Sequence, residues 1–202
     1  RTATGYLVRK GWRDSNVAPA DNSPLAYMIF RASEAYLNYM EADYMKNKNL
    51  DDYSKKYWRA LRKRAGVSEN FQKTIDATDL SKENDLAVWS GSQMIDKTLY
   101  NIRRERRNEL CAEALRWEDL KRWRACDQLI SKPYRVEGML YWGSNYETQL
   151  ADLCKVDPAE GNMSSPDLSK YILPYEKITK NNLIAGQKGF LFTPAHYLNP
   201  IG

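Results

Sequence analysis

Residues 102–123 read Ile102-Arg103-Arg104-Glu105-Arg106-Arg107-Asn108-Glu109-Leu110-Cys111-Ala112-Glu113-Ala114-Leu115-Arg116-Trp117-Glu118-Asp119-Leu120-Lys121-Arg122-Trp123. No Gly or Pro interrupts the run, and helix formers dominate it. At about 100° per residue, Leu99, Ile102, Arg106, Leu110 and Glu113 fall on one stripe. An apolar stripe that carries an Arg and a Glu requires pairing, because an unpaired buried charge is costly. A solvated helix of i,i+4 ion pairs accounts for Arg103, Arg104 and Arg107. It does not account for Arg106 and Glu113, which share the apolar face. The stretch therefore reads as the polar keystone of a helical fold. One helix over 93–130 would far exceed the usual length. A bend is expected near 113–116, with a second helix to about Ile130.

Upstream, Ser23-Pro24 is a helix-start signal, Ser as cap and Pro at the first helical position. The pattern predicts a helix over 26–46. Ala26, Phe30, Ser33, Leu37 and Tyr44 share a face, and Glu34 and Glu41 lie on it too. Small residues at Ala32, Ala35 and Ala42 would let a partner helix approach closely. Residues 47–50 break the helix. Asp51 caps a second one to about Ala65, with Tyr53, Tyr57, Ala60 and Leu61 as its apolar face and Gly66 as a left-handed stop. The two make a helical hairpin. Residues 67–91 are polar and broken, with room for a short helix at 82–88, and Ser92 is placed to cap the keystone helix. A short strand is expected at 6–10.

The 202 residues suffice for one large domain or two small ones with a real core. Apolar content of 43% and charged content of 28% mark a globular chain. The net charge of +5 is too mild to demand nucleic acid. Cys111, Cys126 and Cys154 form no Cys-x-x-Cys pair and are odd in number, which argues against a zinc site and a disulfide framework. Three free thiols are expected, with Cys111 buried in the keystone helix. The lone His196 has no triad partners, and no phosphate-binding Gly loop is present, Gly186 to Gly189 being a simple turn. No run of about 18 apolar residues long enough to span a membrane occurs, and no signal peptide is expected in these residues. No cofactor or metal is expected, and no enzyme.

Residues 131–170 are loop territory, too long for a simple connection. Their aromatic part holds Tyr134, Arg135, Tyr141, Trp142, Asn145 and Tyr146. Aromatic faces with a few planar polar groups suit a sugar ring, so Arg135, Tyr141, Trp142, Asn145 and Tyr146 are candidate ligand-binding residues. The competing reading is that Tyr141 and Trp142, following Met139-Leu140, pin the loop to the core.

A family resemblance rests on Glu105-Arg106-Arg107-Asn108-Glu109-Leu110, then Glu113, Arg116, Asp119-Leu120 and Arg122-Trp123. These residues resemble the SusD/RagB signature, roughly E-R-R-x-E-L, E-G-x-R and D-L-x-R-W. Ala114 stands where that pattern has Gly, and Ala resists turns that Gly tolerates. Residues 29–42 are similar to the family's R-x-x-E-x-Y-L-x-x-A-E-A helix, 61–67 to its R-x-R-A-G segment, and 197–201 to its Y-L-x-P-I-P segment.

The resemblance implies a mainly α fold, a helical hairpin plus a long bent helix with extensive irregular loops. Residues 1–202 would form the C-terminal part of a longer protein whose TPR-related half is absent from this chain. Glu34, Glu41, Arg106, Glu109, Glu113, Arg116 and Asp119 are the expected structural polar core. The first two would neutralise Arg106 as the two helices pack. The implied function is nutrient binding, a glycan foremost, without catalysis, as partner of a SusC-like TonB-dependent transporter in the outer membrane. Localisation would be at the cell surface through an N-terminal lipid anchor not present in this chain. Two other classes fit the residues. One is a non-catalytic helical protein-interaction scaffold. The other is a nucleic-acid-binding helix using Arg103, Arg104, Arg106 and Arg107, which the interleaved Glu105, Glu109 and Glu113 disfavour.

Overall fold

The computed structural model describes Tyr6, Val8, Lys10 and residues 29–131, Tyr134, and residues 136–149, 169–172 and 192–198. The helix start at Ser23-Pro24, Arg135, Cys154, the turn at 186–189 and the 199–201 segment lie outside these residues, as does most of the expected strand at 6–10. Two compact units are present, Lys10–Cys126, and Arg1–Arg9 with Asp127–Gly202.

The first unit is helical. Helix α1 spans Ala32–Asn47 and ends at Lys48, whose backbone is left-handed (φ 53°) and whose N–H donates to the Tyr44 carbonyl. It begins six residues later than the 26–46 expectation. Arg31 is extended (φ −150°) there, and its guanidinium binds Glu109 and Glu113. Tertiary ion pairs, not a local cap, set this boundary, and Ile29 and Phe30 before it are exposed.

Helix α2 spans Asp52–Arg64. Asp51 caps it as expected, accepting from the Ser54 N–H at 2.7 Å. Asp43 on α1 locks the corner by accepting from Asp51 N–H at 2.9 Å and Ser54 Oγ at 2.6 Å. Gly66 (φ 70°) closes α2, and the Val67 N–H reaches the Arg62 carbonyl. The buried face is Ser54, Trp58 and Leu61; of the expected face Leu61 is buried and Tyr57 packs against the core, whereas Tyr53 and Ala60 are exposed. Tyr53 is exposed because α1 meets α2 one residue further round.

Helix α3, Phe71–Ala77, lies in the stretch read as broken. Asn70 caps it, and it buries Phe71 and Ile75. Phe71 stacks on Trp58 with ring centroids 4.6 Å apart and planes 4° from parallel. Single 3₁₀ turns at Leu80–Lys82 and Leu86–Val88 follow. Strands β1 (Trp89–Ser90) and β2 (Gln93–Met94) pair antiparallel, Trp89 opposite Met94 and Ser90 opposite Gln93. Gly91 (φ 57°) and Ser92 form their tight turn, so Ser92 is not a helix cap. That role belongs to Asp96, which accepts from the Leu99 N–H at 2.9 Å.

Helix α4, Lys97–Glu109, is the keystone helix. It packs against α1 and α3. The chain bends at 110–115 and resumes as α5, Arg116–Arg122, within the expected region. The bend uses two left-handed alanines, Ala112 (φ 63°) and Ala114 (φ 62°). Beyond α5 the chain turns through left-handed Arg124 (φ 52°) rather than continuing as a helix to Ile130. The apolar core gathers Leu37, Met40, Trp58, Leu61, Ile102 and Leu110. Among the described residues, no helix is long and apolar enough to cross a membrane.

Candidate functional site

The keystone helix is buried on two sides. Leu99, Ile102, Arg106 and Leu110 are all buried, as the stripe predicts, but so are Tyr100 and Arg103. Arg103 is 2% exposed, which corrects its reading as a solvated residue. It donates to the carbonyls of Ala87 (3.2 Å) and Trp89 (3.0 Å) and to Ser90 Oγ (2.9 Å), so it ties the hairpin and the preceding turn to α4. Its guanidinium lies 4.4 Å from the Trp123 ring centroid. Burial pushes the Arg103 guanidinium down to about 10, against the opposing pull of Glu41.

Glu41 is the acidic centre. Arg122 grips it with two bonds, Nη1 to Oε1 at 3.0 Å and Nη2 to Oε2 at 2.6 Å, and Trp123 Nε1 donates to Oε1 at 2.5 Å. Burial alone would lower the Arg122 guanidinium, but Glu41 and Asp119 hold it above its usual value. Arg106 binds Asp119 (Nε to Oδ2, 2.7 Å) and Asn38 (2.7 Å), with Glu34 at 3.9 Å. The expected neutralisation between α1 and α4 holds in part: Glu34 reaches Arg106 and Glu41 reaches Arg103 at 3.8 Å, but Glu41 does not pair with Arg106. The close carboxylate of Arg106 is Asp119, brought back by the bend, and Glu41 is claimed by α5. Glu109 accepts from Arg31 at 2.6 Å and pairs with Arg64. Glu113, past the end of α4, binds Arg31 (2.9 Å) and Lys10. Arg116 and Arg107 share Asp85.

Six of these seven residues sit on α1, α4 and α5 and Glu113 lies in the bend between the last two, each beside an opposite charge, which is the geometry of a structural brace. The same pairing removes the four-arginine phosphate face. Arg103 and Arg106 are buried, Arg104 binds Glu83 at 2.9 Å and Arg107 binds Asp85 at 2.6 Å. Cys111, expected to be buried, is exposed, because α4 ends before it. Cys126 is buried, and both are free thiols. Among the described residues, no three His, Cys, Asp or Glu are placed to hold a metal ion. His196 is exposed, and its Nδ1 accepts from the Thr193 N–H at 3.3 Å.

The aromatic loop lies in the second unit. Residues 138–142 pair with 170–172. Leu140 bridges Tyr171, Gly138 N–H donates to the Ile172 carbonyl at 2.7 Å, and Tyr141 and Trp142 N–H groups share the Lys170 carbonyl at 2.9 and 3.0 Å. Tyr141 is 3% exposed, so it is packing, not ligand surface. Trp142 is half-buried and meets Tyr141 edge to face at 5.0 Å. Left-handed Gly143 (φ 79°) turns the chain into the short helix α6, Asn145–Gln149. Its N–H donates to Glu147 at 2.7 Å, and Ser144 Oγ accepts from the Tyr146 N–H at 3.2 Å. Asn145 and Tyr146 lie on the first turn of α6, both exposed. Tyr171 is 42% exposed. It is not among the candidates drawn from the sequence, and its pairing with Leu140 brings it to the loop.

A model described as the SusD family matches residues 1–189. No curated protein and no solved structure matches the chain.

Proposed function

Because the chain belongs to the SusD family, we propose that it binds a nutrient glycan at the cell surface without catalysing its cleavage. The partner in this reading is a SusC-like TonB-dependent transporter in the outer membrane, with anchorage through a lipid. The residues here form the C-terminal part of the binding protein. The observation that carries the ligand assignment is the pinned loop. Tyr146 and Tyr171 are 47% and 42% exposed, and half-buried Trp142 follows the buried Tyr141. A pyranose offers a flat C–H face to such rings, and exposed Asn145 supplies a planar hydrogen-bonding group beside them. Backbone pairing holds these groups before a ligand arrives, which lowers the ordering cost of binding.

Affinity electrophoresis through a gel containing a neutral polysaccharide tests this. Removing an aromatic anchor from a binding surface costs about 2 kcal/mol or more, roughly 30-fold in affinity. Tyr146→Ala and Trp142→Ala should each weaken retention by that order, and Tyr146→Ala should leave the melting temperature unchanged. Unaltered retention in both variants would sink the loop as the site. The interaction-scaffold reading has one observation in its favour, since Tyr39 and Tyr53 on the outer face of the α1–α2 hairpin are 41% and 59% exposed. It predicts no retention on any polysaccharide.

A further inference from the structure

The unit Lys10–Cys126 carries two clefts that share Asn70 as a common wall. The larger, about 460 Å³, is lined in part by Lys73, Thr74, Glu83 and Arg104. The smaller, about 390 Å³, is lined by Arg59, Glu69, Phe71 and Gln72 besides Asn70. Both volumes are in the range of small-ligand sites, about 300–1,000 Å³. The larger lining mixes apolar surface with the polar groups of Asn70, Lys73, Glu83 and Arg104, so it offers a ligand hydrogen bonds beside apolar area.

The polar groups there are fixed in advance. Arg104 donates to Glu83 at 2.9 Å and to Asn101 at 2.5 Å, and lies 5.3 Å from the Tyr100 ring centroid. The other Glu83 oxygen accepts from the Tyr100 hydroxyl at 2.7 Å. A planar donor and a planar acceptor are thus held side by side, the arrangement that reads neighbouring hydroxyls.

The charge is uneven. Elsewhere on α2 and α4 the arginines are spent on carboxylates, as with Arg62 on Glu105 (3.1 Å) and Arg64 on Glu109. Lys73 and Arg59 are exposed and, among the described residues, pair with no carboxylate. Arg59 is steadied over Phe71, 5.6 Å from its ring centroid. Lys56 and Lys63 continue from it at three- and four-residue spacing, on the same face of α2, also exposed and without a carboxylate partner among the described residues. Positive charge therefore collects beside the clefts in excess of their carboxylates, Glu83, which Arg104 pairs, and Glu69.

We propose that these clefts are a second binding site, for an acidic polysaccharide of the uronate type. Its carboxylates meet Lys73 and Arg59, and its hydroxyls bond to Asn70, Glu83 and Arg104. The inference rests on the reading of the chain as a glycan binder, but not on the loop at 138–146. A nucleic acid fits less well. Phe71 is 7% exposed and covered by Trp58, so no ring is free to stack a base.

The test is affinity electrophoresis of the full chain in gels containing polygalacturonate, neutral dextran or single-stranded DNA. Polygalacturonate should retard the protein, less so as salt rises. Lys73→Gln combined with Arg59→Gln should weaken that retardation at least tenfold, and Lys73→Gln alone by a smaller factor, with circular dichroism unchanged. Trp142→Ala should not affect it. That pattern supports the second site even if dextran is never retained, the outcome in which the loop reading fails by itself. The proposal is overturned if polygalacturonate does not retard the chain or if the charge variants behave as the parent. It is also overturned if DNA is held as tightly through the same two residues, or if Trp142→Ala abolishes the retardation.

Discussion

Two alanines carry the bend in the keystone. Ala112 and Ala114 have φ near +63° and +62°, a conformation that costs an L-residue roughly 1–2 kcal/mol. Glycine adopts it freely, so Ala114→Gly should stabilise the chain, by about 1 kcal/mol after the added unfolded-state freedom is subtracted. Thermal melting checks this, and a fall in melting temperature would show that the Ala114 methyl group contributes packing that outweighs the strain. The buried arginines give the opposite result. Removing one partner of a buried ion pair costs about 3–5 kcal/mol. Arg106→Ala should fall in that range by urea unfolding, whereas Lys63→Ala, exposed, should change stability by under about 0.5 kcal/mol. Arg106 was legible from its stripe, because a charge on an apolar face must be paired. Arg103 was not, because a single-stripe template assumes one buried face, and α4 is covered on two. Thiol labelling should separate Cys111, reactive in the folded chain, from Cys126, reactive only after unfolding.

At the scale of elements, local chemistry was the most readable. Asp51 and Gly66 bound α2 where the sequence places them, since a cap and a left-handed stop are properties of a few adjacent atoms. The start of α1 was misplaced because Arg31 is fixed by Glu109 and Glu113, some 80 residues away in sequence. Helix α3 escaped notice because its Asn70 cap sits in a polar stretch and only two side chains, Phe71 and Ile75, are buried. The loop was legible as a concentration of aromatics, but not the sorting of its rings. Tyr141 turns inward and Tyr171 joins from a distant segment, both consequences of pairing with Lys170 and Ile172. Cap chemistry also gives a direct expectation. Asp51→Ala leaves the Ser54 N–H without its acceptor and should cost about 1 kcal/mol, read as a lower melting temperature.

For the whole molecule, acid is the condition that tests the brace. Burial alone would raise the Glu113 carboxyl, but the hydrogen bonds from Lys10 and Arg31 outweigh it and hold the group below its ordinary 4.5. Asp43, likewise opposed by burial, is held below 3.8 by Ser54, Asp51 and Asn47. A carboxyl depressed in the folded state binds fewer protons there than in the unfolded chain, so stability rises with pH across that interval. The contribution is complete above the ordinary value and lost as pH falls through the folded one. Melting temperature should therefore decline below pH 4.5, and Glu113→Gln should flatten part of the decline. A parallel decline in that variant would remove Glu113 from the account.

The grip on Glu41 has a consequence for biosynthesis. Its donors on Arg122 and Trp123 follow it by 81 and 82 residues. At about 5–20 residues per second, a ribosome needs roughly 4–16 s to add them. Throughout that interval the nascent hairpin has a carboxylate facing its future core without the donors that bond it, so it must wait in an open, hydrated form. Chains stalled before Trp123 should be cut by protease within α1, and chains stalled well beyond it should resist. The order of emergence from the ribosome, not the intrinsic strength of the first two helices, would then decide when this unit closes.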